Sequence, residues 1–257
     1  MTALFMNKPG TSKKGIIFLH IPKTGGTSIS KALRTHYRFS NCHIKSRASA
    51  AAALPDIQQL SGEPGLYDEV QALRLNLILY WAQTGKKFLT GHVWNDTRLV
   101  NLKKLDYMIV TCLRDPVNRW FSSYFYDNYK TGGHARIEQD IDNFLESERA
   151  RSMGSTYVRY IGGIREDGDY ESELAIEDSV NMLHTIDIIG FLDNLGHLQS
   201  QIQDKLGLRL KVPHRRRSPA EETVMGKIKN SKEYRMAIET LCQPDMKLYD
   251  HARSIIF

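Results

Sequence analysis

The amino-acid sequence predicts an α/β fold of three layers, with a central parallel sheet flanked by helices on both faces. Short and almost wholly apolar runs at residues 15–21, 107–113 and 186–192 are typical of strands that are buried on both faces. Segments whose apolar residues recur at helical spacing separate these runs. In such an alternating fold, ligands bind beyond the carboxyl ends of the strands, so the residues that follow each run are the candidate site.

The chain begins with a polar segment, residues 1–14, which contains a Pro-Gly step and is expected to be a flexible tail. Residues 15–257 are expected to form a single domain, because a hydrophobic content of 41% is enough for one substantial core. The first strand is predicted over residues 15–21. A helix that opens with the capping-type residues Thr27 and Ser28 follows the next turn.

The same criteria divide the rest of the chain. Pro116 suits the first turn of the helix that follows the strand at 107–113. Aromatic residues recur at helical spacing in this helix, and we expect them to face the core: Trp120, Phe121, Tyr124, Phe125, Tyr126 and Tyr129. The other predictions are a helix fragment with a loop at 46–64, a helix over 67–83, an extended piece at 88–90, helical structure over 144–160, a helix over 195–206 and a helical tail from residue 220.

Composition and charge narrow the class of protein. The formal net charge of +6 favours anionic partners. Cys42, Cys112 and Cys242 are far apart, and no His, Cys and acidic residues have metal-ligand spacing, so we predict neither a disulfide framework nor a metal. No run approaches the ~18 apolar residues of a membrane-spanning helix, and the start lacks a signal-peptide pattern. We therefore expect a cytoplasmic protein, bacterial in origin, with the luminal domain of a Golgi enzyme as the alternative.

The residues His20 to Ser28 (HIPKTGGTS) lie between the first strand and its helix, where a phosphate-binding loop is expected. Gly25 and Gly26 allow the backbone to approach a ligand closely, and the helix N-terminus that follows stabilises an anion. Lys23 adds a charged donor. The loop is P-loop-like, but Lys23 precedes the glycines, whereas in nucleoside triphosphatases the lysine follows them.

A second motif, Leu113 to Tyr124 (LRDPVNRWFSSY), lies at another junction between a strand and a helix. Arg114 can present a bidentate fork to a phosphate, and Ser122, two helical turns later, can supply a second donor. Asp115 and Arg119 are interpreted as a structural ion pair or as helix-capping residues.

Two further segments carry candidate residues. His92 lies in the sequence Gly91-His92-Val93 after the extended piece at 88–90, and a histidine suits general base catalysis near neutral pH. The basic run at 214–217, followed by Ser218, is either a solvated loop or part of an anion site.

Together these motifs resemble those of the sulfotransferases, in particular the heparan sulfate 2-O-sulfotransferase-like superfamily. PKTGGTS resembles the family's 5'-phosphosulfate loop, and RDPVNRWFSSY resembles its 3'-phosphate motif. The resemblance implies that Lys23 contacts the sulfate end of the donor and that Arg114 and Ser122 contact its 3'-phosphate. The other donor-binding residues that it implies are Thr24, Gly25, Gly26, Thr27 and Ser28 in the loop and, in the late basic segment, Arg217 and Ser218, with the choice among arginines 215–217 left open.

The resemblance also implies a reaction. In the family a Gly-His-Val histidine acts as the base, so His92 would remove the proton of the acceptor hydroxyl while Lys23 stabilises the departing phosphate oxygen. The expected function is transfer of the sulfuryl group from 3'-phosphoadenosine 5'-phosphosulfate to a hydroxyl of a carbohydrate, by in-line displacement and without a metal. Glycosaminoglycan members often carry a second histidine where this chain has Thr90.

Other functions remain open at this point. A P-loop-like kinase acting on a small molecule would need an acid that holds Mg²⁺ near the loop, and the lysine-before-glycine order argues against it. A non-catalytic protein that binds adenine nucleotides or nucleic acid would have no need of Lys23 and His92 together. A sulfotransferase that acts on a non-sugar alcohol would share every motif. The expected partners are the sulfate donor and a glycan, without nucleic acid, and the oligomeric state is open.

Overall fold

The computed structural model describes residues 13–54, 66–130, 136–165, 167–212 and 222–257. Their strands are β1 (Gly15–Leu19), β2 (Asn41–His43), β3 (Phe88–Gly91), β4 (Tyr107–Leu113) and β5 (Ile188–Phe191). These strands form one sheet in the order β2-β3-β1-β4-β5, and every pair of neighbours is parallel. The predicted α/β class with a central parallel sheet is therefore confirmed.

Helices connect the strands and cover the sheet. They are α1 (Gly26–His36), α2 (Ser46–Ala53), α3 (Leu66–Gln83), α4 (Thr97–Asn101), α5 (Pro116–Tyr129), α6 (Ile141–Leu145), α7 (Glu148–Gly154), α8 (Thr156–Gly162), α9 (Glu173–Leu183), α10 (Leu195–Leu206), α11 (Glu222–Asn230), α12 (Lys232–Leu241) and α13 (Gln243–Ile256), with a 3₁₀ turn at Leu102–Leu105. Within the described ranges, no helix has both the length and the apolar content needed to cross a membrane.

The central strand β1 shows how the three layers form. Its side chains alternate between the two faces of the sheet, as the period of a strand requires. Ile16 and Phe18 pack in the core beneath α1 and α10, whereas Ile17 and Leu19 pack in the core beneath α3, α8, α9 and α13. All five residues of β1 are buried, which explains its continuous apolar sequence.

A third core lies beside the sheet, where α5 packs with α6, α7 and α12. Trp120 and Phe121 are fully buried there, but Tyr126 and Tyr129 are 61% and 53% exposed. The prediction that all the aromatic residues of this helix face the core is therefore wrong for these two. They lie on the opposite face of α5, together with Ser122, because positions three and four residues apart share a helix face.

One other prediction needs correction, and one strand was missed. The helical segment predicted at 144–160 is divided, because the side chain of Ser147 accepts a hydrogen bond from the Ala150 amide and starts α7 separately. The strand β2 was not predicted, since its three residues are not buried and form no apolar run. Residues 1–12, most of the predicted tail, and residues 55–65 lie outside the described part of the chain.

Candidate active site

The candidate site lies where β1 ends between its neighbours β3 and β4. Leu19 pairs in register with Gly91 of β3 and with Thr111 of β4. The loop that follows β1 is therefore flanked by His92 on one side and by Arg114 on the other. The fold brings together three residues that the sequence separates by about 70 and 90 positions.

The loop after β1 has an unusual backbone. Lys23 and Gly25 both have positive φ angles, 66° and 80°, in the left-handed region. The Thr24 hydroxyl donates a hydrogen bond to the Ile21 carbonyl (2.9 Å) and so closes the turn. Because α1 begins directly after Gly25 with no side-chain cap, its first backbone amides are available to an anion.

The two glycines of the loop are required for different reasons. Gly25 needs its positive φ, and a Cβ there would lie 2.6 Å from Leu192 Cδ1. Gly26 has an ordinary φ, but a Cβ at this position would lie 2.0 Å from Cδ2 of the His20 ring. Gly26 therefore makes room for a buried histidine directly beneath the start of α1.

Lys23 lies on the α5 side of the loop. Its Nζ is 3.4 Å from the centroid of the Tyr126 ring. Burial lowers the pKa of Lys23 from 10.5 to about 8, Asp127 opposes this shift, and Arg114 and Lys130 add to it. The ammonium is therefore partly titrated in the weakly alkaline range.

Arg114 joins the second motif to the loop. Its Nη1 donates to the Lys23 carbonyl (3.3 Å), and its backbone amide donates to the Tyr157 hydroxyl (2.8 Å). Asp115 caps α5 by accepting a hydrogen bond from the Asn118 amide (2.8 Å), so its predicted capping role is confirmed. The side chain of Arg114 thus lies beside the loop and supports its backbone at Lys23.

Arg119 is a structural residue, but its ionic partner is Asp245 of α13 rather than Asp115. Both side chains are almost fully buried, and the Arg119 Nη2 to Asp245 Oδ2 distance is 3.3 Å. Asp245 also accepts hydrogen bonds from the backbone amides of Tyr157 (2.7 Å) and Val158 (3.1 Å) at the start of α8. The pair fastens α5, α8 and α13 together behind the site.

His92 lies against His20, with ring centroids 4.4 Å apart. The His92 Nδ1 is 2.5 Å from the His20 carbonyl oxygen. A carbonyl only accepts hydrogen bonds, so Nδ1 carries the proton and Nε2 keeps its lone pair. Burial lowers the pKa of His92 from 6.5 to about 4 and that of His20 to about 3, so both rings are neutral at neutral pH.

A pocket of about 300 Å³ opens beside His92, on the side away from α5. Tyr67 and Tyr160 form aromatic walls, and Arg47 contributes a positive charge. The buried Arg74 completes the pocket and donates to the His92 carbonyl (3.0 Å), to the Ser49 hydroxyl (2.8 Å) and to the Ser46 carbonyl (3.1 Å). The lining includes Pro22 but not Lys23, so the loop divides the site into a pocket side and an α5 side.

The structure places most of the predicted site residues around this loop. Thr24 is buried, and Ser122 lies one helical turn before Tyr126 on α5. Thr27 and Ser28 lie in the first turn of α1, but the helix begins at Gly26 and has no side-chain cap, so the expectation that these two residues open the helix is wrong. Arg217 and Ser218 lie outside the described residues. Among the described residues, no group of three or more His, Cys, Asp or Glu side chains is placed to hold a metal ion.

Some residues of the site were missed by the sequence analysis. His20 was part of the loop motif but was given no role, and Arg74 gave no signal, because it reaches the site only through the packing of α3. Tyr126 did give one, since its spacing from Ser122 places both on one helix face.

These features define an α/β protein of P-loop-like fold, with a glycine-containing loop that leads into α1 at the carboxyl edge of its sheet. The model of the sulfotransferase family matches residues 11–252, nearly the whole chain. The chain therefore belongs to the sulfotransferase family, whose members are transferases of the sulfuryl group. A search of curated proteins finds no match.

Proposed function

We propose that this protein transfers the sulfuryl group from 3'-phosphoadenosine 5'-phosphosulfate to a hydroxyl of a carbohydrate, as the resemblance to heparan sulfate 2-O-sulfotransferase-like enzymes implies. One observation carries the proposal. Lys23 and His92 follow adjacent parallel strands, and they lie on opposite sides of the loop that begins α1. The loop thus presents a cation for the leaving group on its α5 side, with a base for the acceptor on its pocket side.

The α5 side of the site suits the donor. The amides at the start of α1, with Thr24, Gly25, Gly26, Thr27 and Ser28, would hold the 5'-phosphosulfate. Arg114 and Ser122 would contact the 3'-phosphate, and Arg217 and Ser218 would close over the nucleotide. Arg114 is the most exacting of these assignments, because the side chain that would contact the phosphate also supports the Lys23 carbonyl.

The pocket side suits the acceptor. Its volume of about 300 Å³ matches a group of the size of a sugar ring, and the faces of Tyr67 and Tyr160 can pack against the C–H groups of such a ring. Arg47 supplies hydrogen-bond donors for ring oxygens. His92 lies in the wall of this pocket, and on this proposal its Nε2 accepts a hydrogen bond from the acceptor hydroxyl bound there.

The proposed reaction is a single displacement at sulfur. The acceptor oxygen forms a bond to sulfur, and the bond between sulfur and the bridging phosphate oxygen breaks. The proton of the acceptor hydroxyl passes to His92 Nε2. Lys23 stabilises the negative charge that develops on the departing oxygen, which is the larger part of what a site can contribute to such a transfer.

Calorimetric titration tests the donor assignment. The product nucleotide, 3'-phosphoadenosine 5'-phosphate, should bind without a metal, and Arg114→Ala should weaken its binding at least tenfold. Arg98→Ala is a matched control, because Arg98 is half exposed on α4 and pairs with Asp96. Preference for ATP with Mg²⁺ would contradict the assignment and favour a kinase.

Turnover tests the base. In His92→Asn the amide can keep the hydrogen bond to the His20 carbonyl, but it cannot accept the proton. We expect kcat to fall about 100-fold or more while the affinity for 3'-phosphoadenosine 5'-phosphate stays within twofold. Saccharide acceptors and simple alcohols should be compared in the same assay, since equal rates with both would contradict a carbohydrate acceptor.

A further inference from the structure

The Lys23 ammonium lies over the face of an aromatic ring that is mostly exposed. The distance from Nζ to the centroid of the Tyr126 ring is 3.4 Å, well inside the ~6 Å within which a ring attracts a cation. We propose that Tyr126 is a positioning residue, which holds the Lys23 ammonium on the α5 side of the loop and stabilises its charged form. The catalytic meaning of this contact rests on the proposed function, but the contact can be tested without it.

The backbone of Lys23 is fixed, so only the side chain can choose a direction. Its left-handed φ of 66° is held by the Thr24 hydroxyl bond to Ile21 and by the Arg114 bond to the Lys23 carbonyl. The four-carbon stem beyond Cα has free rotations of its own. The position of the ammonium is therefore set by the groups around it, and the ring of Tyr126 is in direct contact with it.

The face of α5 toward which Tyr126 directs Lys23 also carries the proposed phosphate contact. Ser122, Tyr126 and Tyr129 follow one another at intervals of four and three residues and share one face of α5. The ring thus draws Lys23 toward the face that carries the proposed phosphate contact at Ser122. It also draws Lys23 away from the pocket beside His92, whose lining does not include the lysine.

Burial and the charged groups around Lys23 together disfavour its ammonium form. Burial is the largest influence on the pKa of Lys23 and lowers it, and Arg114 and Lys130 lower it further. Asp127 raises it, but this carboxylate also pairs with Lys130 (2.8 Å) and Arg149 (2.7 Å). The face of Tyr126 adds a favourable interaction with the ammonium that requires no further buried charge.

The contact can be measured on the full chain by NMR, with the lysines labelled by reductive ¹³C-methylation and the Lys23 signal assigned by its loss in Lys23→Arg. Tyr126→Phe keeps the ring, whereas Tyr126→Leu removes it. We expect the Lys23 titration midpoint near 8 in the wild type and in Tyr126→Phe. In Tyr126→Leu it should lie about half a pH unit lower.

Tyr129→Leu is the matched control, because it removes a similarly exposed ring from the same face of α5. It should leave the Lys23 midpoint unchanged. An unchanged midpoint in Tyr126→Leu would overturn the proposal. So would a Tyr126→Phe variant that titrates like Tyr126→Leu, since the ring face and not the hydroxyl is the proposed contact.

Kinetics then test positioning. At pH 7 Lys23 is mostly protonated in the wild type and in the Tyr126 variants, so a loss of activity at this pH reports the orientation of the ammonium. We expect the kcat of Tyr126→Leu to fall about three- to tenfold at pH 7, with little change in the KM for the donor. At pH 8 the lower midpoint of free Lys23 adds about a twofold loss in kcat/KM for the donor, which reports the enzyme before the donor binds. A change in KM alone would overturn the proposal. If the midpoint shifts as expected but Lys23→Ala transfers sulfuryl groups normally, the contact is supported and the proposed function fails.

Discussion

The neutral state of His92 leads to a prediction about stability in acid. Burial lowers the pKa of His92 to about 4, whereas in the unfolded chain it returns to about 6.5. Between these values the unfolded chain binds a proton that the folded chain does not bind. The free energy of unfolding must therefore fall as the pH decreases from about 6.5 toward 4.

The size of this effect follows from the shift. Each pH unit within the interval costs about 1.4 kcal/mol, so acidification from neutral pH to pH 5 costs about 2 kcal/mol through His92 alone. His20 adds a similar loss, because its pKa is lowered to about 3. Replacing His92 by asparagine removes the titration of one ring, and the amide nitrogen can still donate to the His20 carbonyl.

Urea unfolding at pH 7 and at pH 5 measures the difference. The loss of stability between the two pH values should be about 2 kcal/mol smaller in His92→Asn than in the wild type, because the other titrating groups are shared. His20 loses the lowering influence of His92 on its pKa, which can only add to the difference. His36→Gln, at the end of α1, controls for the loss of a histidine near the surface. Equal losses of stability in the wild type and in His92→Asn would refute the reasoning, since His92 would then have the same pKa in the folded and the unfolded chain.

Two further predictions concern the packing behind the site. Gly26→Ala places a Cβ 2.0 Å from the His20 ring, so we expect at least a tenfold loss of affinity for 3'-phosphoadenosine 5'-phosphate in calorimetry. Gly196→Ala is the control and should bind the nucleotide normally, because the nearest atom to its Cβ would be 3.9 Å away. Unchanged binding by Gly26→Ala would show that the loop does not depend on this contact. Asp245→Ala leaves the buried Arg119 guanidinium without its ionic partner. The free energy of unfolding should fall by about 3–5 kcal/mol, which would lower the melting temperature by roughly 10 °C. A decrease of less than about 1 kcal/mol would contradict the role of this pair.

The sequence predicted the central part of the fold well because burial on both faces leaves a plain signal. Every residue of β1 is buried, and β4 is nearly as enclosed, so both appear as apolar runs. The edge strand β2 has no buried residue and only three positions, so hydrophobicity could not reveal it. Its existence depends on pairing with β3, which is a contact between distant segments.

The residues of the candidate site also differ in how far the sequence reveals them. Lys23, His92 and Arg114 could be found because each follows a predicted strand, but their adjacency depends on the strand order β3-β1-β4, which no local pattern encodes. Asp245, the partner of Arg119, is 126 residues away in the chain. Tyr126 is a different case, since it was predicted to face the core with the other aromatic residues of α5 but lies on the exposed face of that helix.

Burial acts on Lys23 and His92 with opposite consequences for the proposed reaction. It keeps His92 in the neutral form that accepts a proton, but it works against the charged form of Lys23 that stabilises the departing oxygen. An anionic donor beside both groups favours their protonated forms and so raises both pKa values. The donor thus restores the charge on Lys23 and at the same time makes His92 a stronger base. On the proposed function, His92 remains a weak base until the donor is in place, and proton removal from the acceptor is confined to the complex that can transfer a sulfuryl group.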